Sequence, residues 1–235
     1  LGVDRLDLVQ FHWWDYGIPG YVEAALHLEG LRQKGKIKHV GVTNFDVDRL
    51  EEIVSAGVPV VSNQVQYSVL DHRPVRLMVD FCRRHGISLL CYGTLAGGFL
   101  TGRYLGAAEP NGELENRSLT KYKLIIDDFG GWALFQEMLS TLRVIADRHD
   151  VTVASVATRY VLQKPQVGAA IVGARDARHL NDTLAVFRFR LDEEDVAAID
   201  RVAGRAPGPA GSVYELERVK GGKHAVIMKY NLNET

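Results

Sequence analysis

Polar and aromatic side chains follow the short apolar runs of this sequence, where they could bind or activate a small molecule. His12 comes directly after the run Leu6–Phe11. An imidazole there can donate a hydrogen bond to a carbonyl oxygen or exchange a proton near neutral pH. A structural histidine bonded to backbone is the alternative interpretation. The adjacent Trp13 and Trp14 suit an aromatic pocket wall, although tryptophans beside a strand end are also common in cores.

Asn44, Gln64 and Tyr92 lie at or near the ends of the next three apolar runs. The amides of Asn44 and Gln64 present donors and acceptors that match a primary carboxamide. The ring of Tyr92 offers a flat face on which an aromatic heterocycle can stack. Together the three side chains would suit a nicotinamide ring. Singly, each could equally fasten a loop to a strand end.

A glycine-rich bend, Gly93–Gly98, could let backbone amides approach a pyrophosphate. Arg175, after the last apolar run, could meet a further phosphate. A flexible loop and a solvated arginine are the alternatives. The sequence has neither a Gly-x-Gly-x-x-Gly motif nor a P-loop, which argues against a Rossmann domain or a nucleoside triphosphatase. No group of His, Cys and acidic residues has metal-ligand spacing, so no metal site is predicted.

Five apolar runs, each followed by a helical pattern, position these side chains. The runs are Leu6–Phe11, Ile37–Val42, Val60–Val65, Ile87–Cys91 and Ala169–Val172. Such alternation is typical of parallel strands in α/β proteins. The polar groups would then share the carboxyl edge of the sheet, where β/α barrels build their active sites. We therefore predict an α/β fold of the TIM (β/α)8 type, N-terminally truncated, with about five of the eight β/α units present.

Composition restricts the classes of function. The 235 residues carry 28 basic and 29 acidic side chains without a long block of like charge. Nucleic acids and anionic membranes are therefore not the expected partners. No apolar run approaches the roughly 20 residues of a membrane helix. The two cysteines, Cys82 and Cys91, predict reduced thiols in the cytoplasm or another reducing compartment.

Two segments give no clear pattern. Residues 101–131 lack evident periodicity, and we expect either a lid over the substrate or a mobile excursion. Residues 1–203 are expected to form the barrel domain, and residues 204–235 a linker and C-terminal tail. The Gly- and Pro-rich residues 204–211 would be the linker. The tail after them either folds back over the pocket or stays loose.

Five stretches resemble the aldo-keto reductase family, and together they cover Leu1 to about Ala203. The most specific is KHVGVTNF at 38–45, which is similar to the family's fifth-strand signature, with Thr43 where Ser or Cys is usual. The opening stretch through Trp13 resembles the fourth strand. NQVQY at 63–67, YGTLAGG at 92–98 and IVGAR at 171–175 resemble the sixth, seventh and eighth strands.

The resemblance implies a barrel that binds NADP(H) in extended form and reversibly reduces aldehydes, ketones or sugar-type carbonyls. It implies that His12 orients the carbonyl and that Trp13 borders the substrate. NAD(H) stays open as the cofactor, because Val172 and Thr183 replace the residues usual at the adenosine end. The implied cofactor contacts are Thr43, Asn44 and Gln64 to the carboxamide, Tyr92 to the ring, Gly93, Leu95 and Gly97 along the pyrophosphate, and Arg175, His179 and Asp182 near the adenosine.

The family's catalytic Asp, its proton-donating Tyr and the Lys beside that Tyr lie on earlier strands, and no stretch of this chain resembles them. The expectation is therefore a reductase of which this polypeptide alone is poorly active or inactive. A non-catalytic NADP(H)-binding regulatory or scaffold subunit on the same barrel is the alternative. A barrel isomerase or aldolase is disfavoured, because no strand-end lysine or paired carboxylates occur. The sequence specifies neither the individual substrate nor the oligomeric state.

Overall fold

The computed structural model describes residues 2–174 and 177–228. Five strands form one parallel sheet in sequence order, which confirms the predicted number and direction of the strands. The last strand begins two residues earlier and ends one residue earlier than expected. The strands are β1 (Leu6–His12), β2 (Ile37–Thr43), β3 (Val60–Gln66), β4 (Ser88–Tyr92) and β5 (Val167–Ile171).

Helices connect the strands and cover the sheet, giving a TIM-barrel-like α/β fold. They are α1 (Tyr21–Gln33), α2 (Val47–Ser55), α3 (Arg73–Arg76), α4 (Met78–His85), α5 (Arg117–Phe129), α6 (Gly131–Arg148), α7 (Val153–Leu162), α8 (Leu180–Ala185), α9 (Glu193–Ala203) and α10 (Glu215–Arg218). Short 3-10 turns occupy Ala96–Gly98, Gly102–Tyr104 and Ala177–His179.

Local signals explain where the helices around the site begin and end. The Asp46 carboxylate accepts a hydrogen bond from the Arg49 amide at 3.0 Å, so it caps α2 as the sequence predicts. Such a cap is worth about 1 kcal/mol. Leu50 and Ile53 of α2 are fully buried against the sheet. Gly86 ends α4 at φ 66°, a left-handed conformation that glycine adopts without a steric penalty.

The sheet is best buried at its centre. Val40, Val42, Val65, Leu89 and Cys91, from the three central strands, are fully buried. Residues of β1 and β5 are more exposed, because within the described part of the chain each of these two strands pairs with one neighbour.

The expectation of an unstructured excursion over residues 101–131 is wrong for its second half. Residues Arg117–Phe129 form α5, capped by Asn116, whose side chain accepts from the Leu119 amide at 3.0 Å. The apolar positions do follow a helical spacing, but charged residues between them obscure it. The buried residues of α5 are Leu119, Tyr122, Ile125, Ile126 and Phe129.

The tail folds back onto the strand ends over the described residues 212–228. Tyr214, Glu217 and His224 are all buried. Helix α10 contributes Glu217 to the interior. Of the two arrangements left open for the tail, the structure shows the packed one.

Candidate active site at the carboxyl ends of the strands

Strand register brings three of the predicted site residues side by side. His12 at the end of β1 is the partner of Thr43 on β2, and Thr43 is the partner of Gln64 on β3. Neighbouring strands lie about 5 Å apart. The three residues therefore form one continuous row at the carboxyl edge of the sheet.

Asn44 and Tyr92 join this row through hydrogen bonds. The backbone N–H of Asn44 donates to the backbone carbonyl of Gln64 at 2.9 Å. The Tyr92 hydroxyl donates to the Asn44 Oδ1 at 2.9 Å. Asn44 has a left-handed backbone, φ 60°, which Asn tolerates better than most residues. Because the side-chain oxygen Oδ1 of Asn44 already accepts from Tyr92, the side-chain nitrogen Nδ2 is the group that can donate to a ligand.

Burial keeps the Tyr92 phenol neutral. Desolvation, together with the nearby Glu217 carboxylate, raises the pKa of Tyr92 well above its usual value. The hydroxyl is therefore a hydrogen-bond donor across the physiological pH range, which fixes the orientation of the Asn44 amide.

His12 is lined by aromatic rings on one side and faces solvent on the other. Its ring lies 5.5 Å from that of Trp14 and 5.9 Å from that of Tyr214, both in edge-on arrangements. Desolvation, and secondarily the positive charge of Arg218, lowers the pKa of His12. The imidazole is therefore neutral at neutral pH, and one of its nitrogens can donate a hydrogen bond.

Trp13 forms part of the site wall and holds the loop after β1. Its indole Nε1 donates to the carbonyl oxygens of Asp15 and Ile18, each at 3.0 Å. Its ring also packs against Phe11, with 5.9 Å between the centroids. The indole N–H is thus used internally, and the ring offers apolar surface to a ligand.

The Gly93–Gly98 bend packs against α5 in a way the sequence did not reveal. Gly93 and Gly97 have φ of +75° and +66°. A Cβ on Gly93 would lie 2.4 Å from the Tyr122 hydroxyl, and one on Gly97 would lie 2.8 Å from the Tyr122 ring. Both glycines are therefore required for the packing of Tyr122, whether or not a pyrophosphate binds. A cavity of about 500 Å³ lies between this bend, including Leu95, and the end of β5.

Lys121 of α5 lies beside the candidate site, although no signal in the sequence pointed to it. Its ammonium nitrogen lies 5.2 Å from the centre of the Tyr92 ring and 5.4 Å from that of Tyr214. Glu217 Oε1 is 3.5 Å away. Burial and the Arg73 charge lower the pKa of Lys121, while Glu217 opposes that shift. Recognising Lys121 required the periodicity of α5, in which Leu119 and Tyr122 are buried.

The tail supplies two further residues that had no signal in the sequence. The Arg218 Nε donates to the Trp14 carbonyl at 3.2 Å, and Nη2 donates to the Trp13 carbonyl at 3.1 Å. The Arg218 guanidinium lies over the Tyr16 ring at 4.1 Å from its centre. Glu217 contacts the buried Arg73, with 3.2 Å between the Oε2 and Nη1 atoms. Arg218 therefore fixes the loop that carries the two tryptophans.

Comparison with known proteins decides the family. The sequence matches the aldo/keto reductase family over residues 1–203. The chain belongs to the aldo-keto reductase family. Flagellar radial spoke protein 5 of Chlamydomonas reinhardtii is 32% identical over 91% of this chain and 42% of its own length. The chloroplastic pyridoxal reductase of Arabidopsis thaliana is 29% identical over 88% of this chain and 55% of its own length.

Solved aldo-keto reductases share the fold. A thermostable aldo-keto reductase, Tm1743, in complex with the inhibitor epalrestat, superimposes with a TM-score of 0.63 at 26% identity, covering 85% of this chain and 60% of its own. The glycerol dehydrogenase of Gluconobacter oxydans superimposes with a TM-score of 0.71 at 23% identity, covering 89% and 62%. This chain spans about half the length of the two curated relatives, 42% and 55%.

The adenosine end expected for an aldo-keto reductase is only partly described. Arg175 lies outside the described residues. His179 and Asp182 are exposed and lie close together, with 3.7 Å between Nδ1 and Oδ2. The Asp182 carbonyl also accepts a hydrogen bond from the Ser155 hydroxyl at 2.9 Å. Which cofactor this end of the aldo-keto reductase site prefers stays a prediction.

Three further features of this aldo-keto reductase bear on its chemistry. Across residues 2–174 and 177–228, no three His, Cys, Asp or Glu side chains gather as metal ligands. None of the helices described is long and apolar enough to cross a membrane. Cys82 and Cys91 are free and buried, and desolvation raises the pKa of both thiols to about 12. Neither thiol is therefore a ready nucleophile at neutral pH.

Proposed function

We propose that this chain forms the cofactor-binding and carbonyl-facing part of an NADP(H)-dependent oxidoreductase. Its substrates would be aldehydes, ketones or sugar-type carbonyls. The observation that carries the proposal is that Asn44 is hydrogen-bonded through its side chain to Tyr92 and through its backbone to Gln64. A neutral His12 lies in the same row of strand ends. A neutral set of two amides and one phenol matches an uncharged carboxamide and its planar ring.

The residues fit the cofactor in chemistry and in order along the chain. Asn44, Gln64 and Thr43 would hold the carboxamide, and Tyr92 would stack on the ring. The Gly93–Gly98 bend with Leu95 would follow the pyrophosphate, since a cavity of about 500 Å³ lies beside it. Stacking on the face of Tyr92 that Lys121 covers would require this lysine to move. Arg175, His179 and Asp182 would complete the adenosine end.

The bound nicotinamide would supply the hydride. The part played by this chain is orientation and polarisation of the carbonyl. A neutral His12 can donate one hydrogen bond to the carbonyl oxygen, which stabilises the negative charge that develops there. Trp13 and Trp14 would limit the access of water to the reacting carbon. Replacing His12 with Asn is therefore expected to lower turnover far more than it weakens NADPH binding.

The cofactor assignment is tested by replacing Asn44 with glycine. Glycine accepts the left-handed backbone at this position, so the variant removes the amide without adding backbone strain. Loss of one or two hydrogen bonds should weaken NADPH binding about tenfold. The measurement is a titration of the purified 235-residue chain, followed by nicotinamide fluorescence or calorimetry.

Asp150→Gly is the matched control, because Asp150 also has a left-handed backbone, φ 51°, but lies between α6 and α7. Its NADPH affinity should equal that of the wild type. Equal affinities of Asn44→Gly and wild type would refute the proposed carboxamide contact. Binding of NADPH without carbonyl-dependent oxidation would favour the regulatory or scaffold alternative, whereas oxidation at enzymatic rates would show that the chain supplies its own proton donor.

A further inference from the structure

A second cavity, of about 660 Å³, lies between the tail and the loop that carries Trp13 and Trp14, which we call the tryptophan loop. Trp13, Trp14 and Ile18 form the wall on the side of β1. The tail contributes Arg218 and Lys220, followed by Gly221, Ala225 and Val226. His12 does not itself line the cavity, but its ring lies 5.5 Å from that of Trp14, which does.

The walls of this cavity are mainly apolar. The Trp13 N–H is already bonded to two backbone carbonyls, so the indole presents only its ring. Ile18 is 59% exposed and Val226 is 68% exposed, so solvent-exposed apolar surface surrounds the opening. A ligand with an apolar or aromatic body would cover this surface and gain hydrophobic free energy.

The charged groups of the cavity are predominantly positive. Arg218 is held by two backbone carbonyls, and its Nη1 is buried without a hydrogen-bond partner among the residues the structure describes. Lys220 is 91% exposed at the opening, with the Asp15 carboxylate 3.9 Å away. The Asp15 side chain also accepts from the Gly17 amide at 2.8 Å. Two cations against one carboxylate leave a net charge of about +1, which favours an anion.

We infer that this cavity selects carbonyl substrates that combine an apolar body with a carboxylate group. The carboxylate would bind to Arg218 and Lys220, while the apolar body covers Trp13 and Trp14 and directs the carbonyl towards His12. The inference rests on the proposed function, because it assigns this cavity to the substrate of that reaction. A guanidinium fixed by two backbone bonds loses little freedom when it binds a carboxylate, which strengthens the contact.

Tryptophan fluorescence can measure binding without turnover. Two of the three tryptophans line this cavity, and Trp132→Phe removes the third, which lies on α6. The ligands are 4-(hydroxymethyl)benzoate and the neutral 4-(hydroxymethyl)benzamide, alcohols that cannot form an imine with lysine. We expect the carboxylate to bind about tenfold more tightly than the amide, and its affinity to fall as salt is added.

Arg218→Gln and Lys220→Gln test the two cations in the Trp132→Phe protein. Each should reduce the preference for the carboxylate, and Arg218→Gln should abolish most of it. Lys223→Gln is the control, because Lys223 pairs with Asp128 at 2.5 Å and does not line the cavity. Its preference should equal that of the parent. Circular dichroism checks that each variant is folded, and Lys220, being exposed, keeps the test valid if Arg218→Gln unfolds.

The outcomes separate this inference from the proposed function. Equal affinity for the carboxylate and the amide, or no binding of either, overturns the substrate class, while NADPH binding is measured independently through nicotinamide fluorescence. A carboxylate preference that persists in both the Arg218 and the Lys220 variants also overturns it. A carboxylate preference that is reduced in both variants supports the carboxylate site, and a failure of NADPH binding in the same protein would count separately against the proposed function.

Discussion

Replacing Arg73 with methionine is expected to lower the free energy of unfolding by about 3–5 kcal/mol, because it removes the guanidinium that two buried carboxylates share. Arg73 is 3% exposed, and Asp71 and Glu217 are fully buried. The Arg73 Nη2 lies 2.8 Å from Asp71 Oδ2, and its Nη1 lies 3.2 Å from Glu217 Oε2. Gln66 adds a hydrogen bond of 2.6 Å to Asp71.

Urea denaturation of the wild type and of Arg73→Met measures this difference in the free energy of unfolding. Arg76→Met is the control, since Arg76 lies at the other end of α3 and is exposed. Its free energy of unfolding should stay within about 0.5 kcal/mol of the wild type. A loss for Arg73→Met as small as that of the control would show that the buried ion cluster contributes little to stability.

The wild type and Arg73→Met should also differ in how their free energy of unfolding depends on pH. Burial would raise the pKa of Asp71, but Arg73 outweighs this and holds the pKa below its usual value. The stability from Asp71 is therefore fully present above about pH 4 and is lost as the pH falls through the folded-state pKa. Without Arg73, burial raises this pKa above that of the unfolded chain. The stability difference between wild type and Arg73→Met should then shrink from pH 7 towards pH 4.

Gly93→Ala should be the most damaging single-atom change in the candidate site. The left-handed backbone at φ +75° costs a non-glycine residue about 1–3 kcal/mol. The new Cβ would also lie 2.4 Å from the Tyr122 hydroxyl, and overpacking of this kind typically costs about 1–3 kcal/mol more. We expect the free energy of unfolding to fall by the sum of the two effects, measured by denaturant titration.

Gly35→Ala separates the two effects. Gly35 has nearly the same backbone, φ +74°, but a Cβ there would meet no atom within 4 Å. It should show only the backbone cost. Tyr122→Phe, combined with Gly93→Ala, removes the closest clashing atom and should restore part of the loss. If the two glycine variants are equally destabilised, the contact with Tyr122 is not a constraint.

Residues at strand ends could be predicted from the sequence because their positions depend on local pattern. Apolar runs located β1 to β4 to within a residue or two at each end, and parallel pairing then required their ends to share one edge. The row of His12, Thr43 and Gln64 follows from that rule. The hydrogen bond between Tyr92 and Asn44 joins residues 48 positions apart, but the same rule places them together.

Residues on α5 and the tail could not be predicted in the same way. Lys121 lies on a helix whose apolar spacing is interrupted by charges. Glu217 and Arg218 belong to a four-residue helix, too short to show periodicity. Their partners are far away in sequence, 144 residues for Glu217 to Arg73 and 205 for Arg218 to Trp13. Only the folded chain shows these contacts.

Helix α10 contributes to two structures. Glu217 belongs to the ion cluster of the interior, and the next residue, Arg218, anchors the tryptophan loop. A single turn of backbone therefore links the two structures. Among relatives of this chain, insertions and deletions should accumulate before residue 212 and after residue 220, while the spacing from 214 to 218 is preserved. A change of that spacing would disturb both the contact of Glu217 with Arg73 and the contacts of Arg218 with the tryptophan loop.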